Sequence, residues 1–257
     1  MELIALGSSS AGNSWLVSSS GAALLVDAGL SAGHITDTII SAGVSPNSLC
    51  GIVITHEHGD HVRSAGVLAR RFRIPIYGTQ GTLSAMRPLI KHDERLETFV
   101  AGDEFVVGAF SVHPFSIPHD ASDPVGFVVD DGKRRLAVAT DMGTVTNVVR
   151  ERIAGVHTAV IEANHDRQML KDGPYPWPVK QRIDSGVGHL NNPDGFDLMV
   201  AAVRRGVGQV VLAHLSRTNN DPRLVADGAK TALEAEGLLD AKCAVVPPGE
   251  QLLTFDV

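Results

Sequence analysis

Short apolar runs broken by Gly and Ser recur in the first third of the chain and predict β-strands there. ELIAL, SWLVSS and ALLVDAG have the length and the apolar content of strands. A helical pattern follows over 31–42, and the run GIVIT then predicts a buried strand. HVRSAGVLARRF has the spacing of a helix, and PIYG predicts a further short strand.

The rest of the chain again shows strands followed by helices. Between 96 and 139 the pattern predicts mostly strands, which read LETFV, EFVVG, FSVHPF, VGFVVDD and RRLAVAT. The last third alternates the strands TAVIEA and QVVLAH with helices near 194–205 and 222–236, and ends in closing strands. A long irregular stretch follows TAVIEA. Strands in two batches, each followed by helices, predict two sheets packed face to face with helices outside.

Composition and charge narrow the class of protein. The 257 residues are 44% hydrophobic, enough to bury a sizeable core, and no linker or internal repeat divides them. We therefore predict one domain over 1–257. A net charge of −7 gives no general basic field for nucleic acid, so any such contact needs a local patch.

Cysteine usage and the absence of long apolar runs bear on location. Cys50 and Cys243 are far apart in sequence and indicate a reducing compartment rather than a disulfide framework. MELIALGSSS lacks the features of a signal peptide, and no run has the eighteen or so apolar residues of a membrane span. The sequence predicts a soluble, cytoplasmic protein.

GSSSAGNS at residues 7–14 resembles a phosphate-binding P-loop except at one position. Asn13 stands where that motif has lysine. The P-loop also requires a following helix, whereas SWLVSSSGAALLVD predicts two strands of a hairpin. A nucleotide site of this kind is excluded.

The strongest chemical signal is THEHGDH at residues 55–61, directly after a predicted strand. In an extended segment His56 and His58 project to the same side. Gly59 disfavours a helix and lets the chain turn, so that Asp60 and His61 return toward the same point. Such nitrogen and oxygen ligands suit Zn²⁺, Mn²⁺ or Fe²⁺. A polar loop with solvated histidines is the alternative.

Further ligands are expected elsewhere, because four donors from one loop crowd a single ion. His119, Asp141 and His214 each follow an apolar strand, where sites on layered folds gather. For each of them taken alone, a hydrogen-bonded structural role is an equal alternative. No ligand role is predicted for the remaining histidines, which are His34, His92, His113, His157 and His165.

Taken in order, these residues resemble the metallo-β-lactamase superfamily over nearly the whole chain. Its five motifs correspond to Asp27 in LLVDAG, the THEHGDH block, His119, Asp141 and His214. GSSSAGNS, THEHGDHV, IPHDASDPVGF, ATDMG, IEANHD, GHLNN and LAHLSRTNN are similar to the narrower YycJ (WalJ, VicX) group. The resemblance implies an α/β (α+β) fold, the four-layer αββα sandwich.

The resemblance also implies a dinuclear metal centre. It assigns the first ion to His56, His58 and His119, the second to Asp60, His61 and His214, and a bridging role to Asp141. Asp27 would accept a hydrogen bond from a ligand imidazole. The two divalent ions, zinc or manganese with iron as a third option, would generate hydroxide near neutral pH and suit a phosphodiester. Asp60 counts among the catalytic residues on this basis.

IEANHD and GHLNN resemble the paired loops of tRNase Z-type phosphodiesterases. By that resemblance Glu162 orients His189, and His189 protonates the leaving oxygen as general acid. An ordinary loop histidine is the alternative. The interval between His119 and Asp141 is short and mostly filled by two predicted strands, so the tRNA-gripping arm of tRNase Z is absent. A β-CASP insertion is absent as well.

Substrate contacts are predicted in three places. Basic and aromatic residues that alternate between the two loops could track a phosphate backbone and stack bases, unless they form a solvated cap with Trp177 packed on the core. The first turn could hold a substrate phosphate or a ligand loop, or be a plain hairpin. The nominated residues are Arg167, Lys171, Tyr175, Trp177, Lys180 and Arg182, then Ser9, Asn13 and Ser14, and finally Asn191, Ser216 and Asn219.

The resemblance to the YycJ group thus implies a metal-dependent DNA exonuclease that cuts double-stranded DNA in the 5′→3′ direction, the activity associated with that group. DNA is the expected partner, and a homo-oligomer is compatible with the sequence. A phosphodiesterase for small or cyclic nucleotides, as in the PhnP-like branch, is the first alternative and is favoured by the acidic net charge. A non-catalytic regulatory module is the second, because the group is associated with a cell-wall two-component locus.

Overall fold

Two mixed β-sheets form the centre of the computed structural model, which describes residues 1–91 and 93–257, with backbone alone at 250 and 251. His92, which has no predicted ligand role, lies outside the described residues. The first sheet has the strand order β14-β1-β2-β3-β4-β5-β6 and the second has β13-β12-β11-β10-β9-β8-β7. In chain order the strands are β1 (Glu2–Ser8), β2 (Ser14–Ser19), β3 (Ala22–Val26), β4 (Leu49–Val53), β5 (Ile76–Thr79), β6 (Leu96–Phe99), β7 (Phe105–Val107), β8 (Phe110–Ser116), β9 (Val125–Asp130), β10 (Arg135–Ala139), β11 (Thr158–Glu162), β12 (Gln209–Ala213), β13 (Lys242–Val245) and β14 (Gly249–Asp256).

Helices cover the outer face of each sheet. Short 3₁₀ turns also occur at Pro46–Ser48 and Arg87–Leu89. In chain order the helices are α1 (Ala32–Ser41), α2 (Gly59–Val62), α3 (Ala65–Phe72), α4 (Gln80–Ala85), α5 (Asn147–Ile153), α6 (Arg167–Asp172), α7 (Trp177–Ile183), α8 (Asn192–Arg204) and α9 (Pro222–Ala235).

Three apolar layers hold the fold together, and strand alternation assigns side chains to them. In β1, Leu3 faces the layer between the two sheets, whereas Ile4 faces the layer under α1 and α3. On the other side, Leu198 of α8 and Val225 of α9 pack on the outer face of the second sheet. Burial of both faces of each sheet explains why the central strands read as nearly continuous apolar runs.

The direction of the strands positions the chemistry. β3, β4 and β5 are parallel to one another, and so are β10, β11, β12 and β13. Parallel strands end at the same edge of their sheet, and the crevice beyond those ends is where open α/β sheets bind ligands. Backbone contacts join the two sheets there, since Val125 donates to the Thr55 carbonyl at 3.0 Å.

The predicted four-layer αββα sandwich is confirmed, and several local predictions are wrong. Gly59, which was expected to disfavour a helix, begins the short helix α2, and HVRSAGVLARRF is divided between α2 and α3. The stretch predicted to be irregular contains α6 and α7. Helices α4 and α5 were not predicted, because short helices under a sheet leave little periodicity in sequence.

The interval between His119 and Asp141 contains β9 and β10, as predicted. Within the described ranges, no helix is long and apolar enough to cross a membrane. The single-domain interpretation, the cytoplasmic location and the homo-oligomer stay predictions.

Candidate metal centre

Four of the predicted site residues stand at or just beyond the carboxyl ends of parallel strands. Asp27 follows β3, Asp141 follows β10, His214 follows β12, and Glu162 is the last residue of β11. Asp27, Asp141 and His214 have φ values of 60°, 61° and 59°, a left-handed conformation that non-glycine residues rarely adopt. Such strained positions persist only where the surrounding structure holds them. Here they direct three side chains into one cleft between the edges of the two sheets, which we call the seam.

The first group of donors contains His56, His58 and His119, whose ligand atoms lie within 4.8 Å of one another. His119 Nε2 lies 3.2 Å from His58 Nδ1. Burial, followed by repulsion from His61, lowers the pKa of His56 well below its ordinary value, which keeps its imidazole neutral and able to bind a metal. The predicted two-residue spacing therefore brings His56 and His58 together.

The second group contains Asp60, His61 and His214, again within 4.8 Å. Asp141 lies between the two groups. Its Oδ2 is 3.5 Å from His61 Nε2, and its Oδ1 is 3.5 Å from His214 Nε2. Asp141 also clusters with His56 and His61. This is the position that a bridging carboxylate would occupy.

Buried polar atoms in the seam test whether metal ions fit. His56 Nε2, Asp141 Oδ2 and His214 Nε2 are buried and have no hydrogen-bond partner within the described part of the chain. Unpaired buried polar atoms are costly, and here three of them converge from different strands. Imidazole nitrogens and carboxylate oxygens at this spacing are a donor set for divalent metal ions.

Three buried carboxylates, Asp27, Asp141 and Glu162, contribute much of the negative charge of this centre. Burial alone would raise the pKa of Asp141, but the imidazoles, His214 and His61 first, hold it well below its ordinary value. Burial opposes protonation of His61, yet Asp141 and Asp27 outweigh it and raise the pKa of His61 to about 10. The same balance, with Asp141 and Glu162, raises the pKa of His214 to about 9. The ionised carboxylates favour positive charge at these ligand atoms, which divalent cations would supply.

Three of the buried ligand imidazoles have their second nitrogen held by the protein. His61 Nδ1 lies 2.8 Å from Asp27 Oδ2, and His214 Nδ1 lies 2.9 Å from Glu162 Oε1. His119 Nδ1 lies 3.1 Å from the Gly188 carbonyl. With an N–H donated outward at Nδ1, Nε2 is the nitrogen at which a metal ion would replace a proton, and such partners fix ring orientation and tautomer.

Glu162 also contacts His189, whose Nδ1 is 2.8 Å from the same Oε1. Its other oxygen accepts from the backbone of Met142 at 2.7 Å and Leu190 at 3.3 Å. Burial would raise the pKa of Glu162, but His189 and His214 outweigh it and lower that pKa to about 2. Glu162 is therefore an ionised carboxylate that holds two imidazoles at once.

His189 lines a cavity of about 240 Å³ at the mouth of the centre, and its side chain is 21% exposed. The metal-donor residues His58, Asp60, Asp141 and His214 line the same cavity. The predicted acid and the predicted ligands thus share one opening to solvent.

The GSSSAGNS turn lies beneath this centre. Asn13 Nδ2 donates to Asp60 Oδ2 at 3.2 Å, and its backbone N–H donates to the Asp60 carbonyl at 2.7 Å. Ser14 Oγ donates to the Asp27 carbonyl at 2.8 Å. Ser9 is buried and contacts Asn13 in both directions. Of the roles considered, these burials favour support of the ligand loop over contact with a substrate phosphate.

Gly29 packs against the same loop, although the sequence analysis did not identify it as a site residue. A Cβ at Gly29 would lie 1.6 Å from the Asp60 carbonyl oxygen. The backbone N–H of Ala28 donates to the His61 carbonyl at 2.6 Å. The loop after β3 therefore packs directly against the turn that carries Asp60 and His61, and only glycine fits at residue 29.

The predicted substrate residues fall into separate places. Tyr175, Arg182 and Ser216 line the cavity at the metal centre, and Arg182 forms an ion pair with Asp120. Trp177 is 65% exposed, so the alternative in which its side chain packs on the core is wrong. The remaining basic residues, Arg167, Lys171 and Lys180, line a different groove together with Trp177.

Two nominated amides do not reach the cavity. Asn191 is buried, and its side chain caps α8 by accepting from the Asp194 backbone at 3.1 Å. Asn219 is fully buried, and a Cβ at Gly173 would lie 2.4 Å from its Oδ1. A direct substrate contact is therefore wrong for both, because neighbouring backbone encloses them.

Several cavity residues were missed by sequence reasoning. Two of them could have been found from the sequence. Asp120 directly follows a predicted metal ligand, and Asn164 lies in the motif IEANHD, which resembles a family motif. Val179 and Ile183 carried no such signal, since their exposure to the cavity depends on how α7 packs. The missed lining residues are Ser10, Asp120, Asn164, Val179, Ile183 and Gly188.

Comparisons with known proteins agree with this geometry. A family model described as a beta-lactamase superfamily domain matches residues 23–215. Exodeoxyribonuclease YycJ of Bacillus anthracis is 38% identical over 235 residues, covering 90% of this chain and 89% of its own. Exodeoxyribonuclease WalJ of Streptococcus pneumoniae is 37% identical over 221 residues, covering 84% and 81%.

Among solved structures, the metallo-beta-lactamase fold protein YhfI of Bacillus subtilis has a TM-score of 0.76 at 17% identity and covers 99% of both chains. The family model, the relatives and the order of the motifs agree. The chain therefore belongs to the metallo-β-lactamase superfamily and, within it, to the YycJ group.

Proposed function

We propose that this protein is a metal-dependent phosphodiester hydrolase that removes nucleotides from the ends of DNA. The observation that carries the proposal is the contact of Glu162 with both His214 and His189. It joins a complete set of metal donors to a solvent-reaching imidazole at the same cavity. The two relatives named exodeoxyribonuclease, at 37% and 38% identity over most of the chain, support DNA as the substrate.

We further propose two divalent ions, zinc or manganese, with His56, His58 and His119 around one, with Asp60, His61 and His214 around the other, and with Asp141 between them. When bound, such ions polarise a phosphoryl oxygen and lower the pKa of a coordinated water. The chain contributes the buried negative charge that retains them and the outer hydrogen bonds that orient the imidazoles.

His189 acts as the general acid in this proposal. Its Nδ1 is engaged with the Glu162 carboxylate, which orients the ring and leaves Nε2 to donate a proton to the leaving oxygen. Glu162 stays ionised throughout, because its pKa of about 2 lies far below neutral pH. The arrangement follows the general rule that a base or acid is oriented by a third group.

The size of the cavity favours cleavage at an end. At about 240 Å³ it lies just below the usual range of pockets that enclose a small ligand, so it is too small for an intact duplex and suits at most the end of a strand. A 5′→3′ direction on double-stranded DNA is the polarity that we propose. The same small volume and the net charge of −7 favour the second candidate, a phosphodiesterase for small or cyclic nucleotides.

The test uses protein loaded with Mn²⁺ or with Zn²⁺. It is incubated with double-stranded DNA labelled at the 5′ or the 3′ end, and in parallel with bis-p-nitrophenyl phosphate. Progressive loss from the 5′ end supports the exonuclease. Cleavage of the small diester alone moves the assignment to the second candidate. Metal-loaded protein that cleaves neither would contradict both and leave the regulatory module.

A further inference from the structure

Helix α7 separates two cavities, and its two faces are lined by different chemistry. Val179, Arg182 and Ile183 face the cavity at the metal centre. Trp177, Lys180, Gln181 and the following Asp184 line a second cavity of about 480 Å³. The second set has the spacing i, i+3, i+4, i+7, which is one face of a helix. α7 is therefore a wall with a catalytic side and an outer side.

Helix α6 supplies the facing wall. Arg167, Leu170 and Lys171, at i, i+3 and i+4, line the same second cavity, which we call the α6–α7 groove. Asp166 caps α6 by accepting from the backbone N–H groups of Gln168 and Met169, so the helix begins where the groove does. Leu170 is buried and forms an apolar floor. The groove is thus built from two helix faces and not from a chance loop contact.

The groove is locally positive in an acidic protein. Three cations, Arg167, Lys171 and Lys180, line it together with one carboxylate, Asp184, and Arg167 also forms an exposed ion pair with Asp194 at 3.5 Å. Lys180 Nζ donates to the Lys171 carbonyl at 2.7 Å and ties α7 to the end of α6. Within the described residues no carboxylate pairs with the Lys171 ammonium. With a net charge of −7 over the chain, this local reversal favours an anionic ligand.

Trp177 adds a second requirement on the ligand. An indole buries a large apolar area when it can, and Trp15, the other tryptophan, is fully buried in the core. Trp177 instead stands 65% exposed on the groove. A flat exposed ring beside cations provides a stacking surface for a base and contacts for the neighbouring phosphates.

We propose that the α6–α7 groove binds a single-stranded segment of the polynucleotide, with one base stacked on Trp177 and phosphates beside Lys171 and Arg167. This inference rests on the proposed function, because it takes the substrate to be a nucleic acid. Inside a duplex both faces of each base are already stacked, so a base within the strand must be unpaired to lie on the indole. The groove holds a part of the substrate that stays outside the catalytic cavity.

The experiment measures binding of a fluorescently labelled oligothymidylate of a dozen nucleotides, by anisotropy and in EDTA, so that no cleavage occurs. Trp177→Ala should weaken binding on the order of tenfold, because one stacked base is lost. Trp177→Phe should weaken it less, because a smaller ring remains. Leu239→Ala, which truncates another exposed apolar side chain (73% exposed) away from the groove, should bind like the wild type.

Intrinsic fluorescence gives an independent reading. Trp15 is buried and Trp177 is exposed on the groove, so quenching on oligonucleotide binding should come from Trp177. The wild type should be quenched, and Trp177→Phe should lose that quenching. Lys171→Gln should reduce the salt dependence of binding by about one phosphate contact, whereas Lys230→Gln, an exposed lysine on α9, should leave it unchanged.

The outcomes separate the groove from the catalytic proposal. Equal binding by Trp177→Ala and Leu239→Ala, or no binding by the wild type, would overturn the proposal that the α6–α7 groove binds single-stranded nucleic acid. Weakened binding by Trp177→Ala, in protein that shows no DNA cleavage when loaded with metal, would support the groove while the exonuclease fails. Thermal unfolding of each variant checks that the fold is intact.

Discussion

Two buried carboxylates, Asp27 and Glu162, occupy comparable places in the two sheets. Asp27 follows β3 in the first sheet, and Glu162 ends β11 in the second. Each contacts Nδ1 of a predicted ligand, His61 at 2.8 Å for Asp27 and His214 at 2.9 Å for Glu162. In both, the carboxylate orients an imidazole whose other nitrogen faces the metal centre.

The difference lies in their remaining contacts. Asp27 accepts from the backbone N–H of Thr55 at 2.8 Å and from its hydroxyl, both of which are buried. Glu162 shares its Oε1 with His189, which reaches the cavity. Asp27 therefore acts on the metal centre alone, whereas Glu162 couples the centre to the predicted acid. Carboxylates of similar surroundings differ in function because different loops lie beside them.

The largest expected effect is that of Glu162→Gln. An amide places an NH₂ group at one of the two oxygen positions, where it faces either the backbone N–H groups of Met142 and Leu190 or the Nδ1 atoms of both His189 and His214. Metal retention and proton donation should both suffer, and cleavage should fall on the order of a thousandfold or more. Steady-state kinetics and metal analysis measure this, with Glu97→Gln on the surface as control. Recovery of full activity in excess metal would contradict the coupling role.

His189→Ala should come next. The predicted ligands are untouched, so both ions should remain, while cleavage slows on the order of a hundredfold or more through loss of a general acid. Metal content per chain and kcat are the two measurements, and His113→Ala, a histidine that lines no part of the cavity, is the control. Loss of metal in the variant would make His189 structural or a ligand.

Asp27→Asn should have a smaller effect that excess metal reverses. It removes the charge that holds His61 Nδ1 and should weaken metal affinity roughly ten- to a hundredfold. Titration of metal-free protein measures the affinity, and Asp37→Asn on the exposed face of α1 is the matched control. A rate deficit that persists at saturating metal would erase the distinction between Asp27 and Glu162.

The smallest effect is expected from a change that touches neither Asp27 nor Glu162. Changing Lys180 and Arg182 together to Gln should weaken polynucleotide binding several-fold and flatten its salt dependence by one to about two phosphate contacts. Arg182 is already paired with Asp120, which limits the loss. Binding isotherms over a salt series measure it, with Lys133→Gln/Arg134→Gln as a charge-matched control. Unchanged binding at every salt concentration would refute a role for these two cations.

The two halves of the centre also differ in how far sequence could predict them. His56, His58, Asp60 and His61 stand within six residues, so their spacing alone indicated a common site. His119, Asp141 and His214 are single residues after separate strands, and local pattern left structural roles equally open. Resemblance to a family placed them in one centre, and the fold brings them together because parallel strands end at one edge.

The sequence by itself determined the layered sandwich and the presence of a metal-type donor set, because strand alternation and ligand spacing are local properties. Only the tertiary structure decided that Asn191 and Asn219 are enclosed, that Glu162 reaches two imidazoles, and that α7 has two differently lined faces. These depend on which surfaces meet across distant parts of the chain. Burial and hydrogen-bond reach are properties of packing, and no local pattern of residues encodes them.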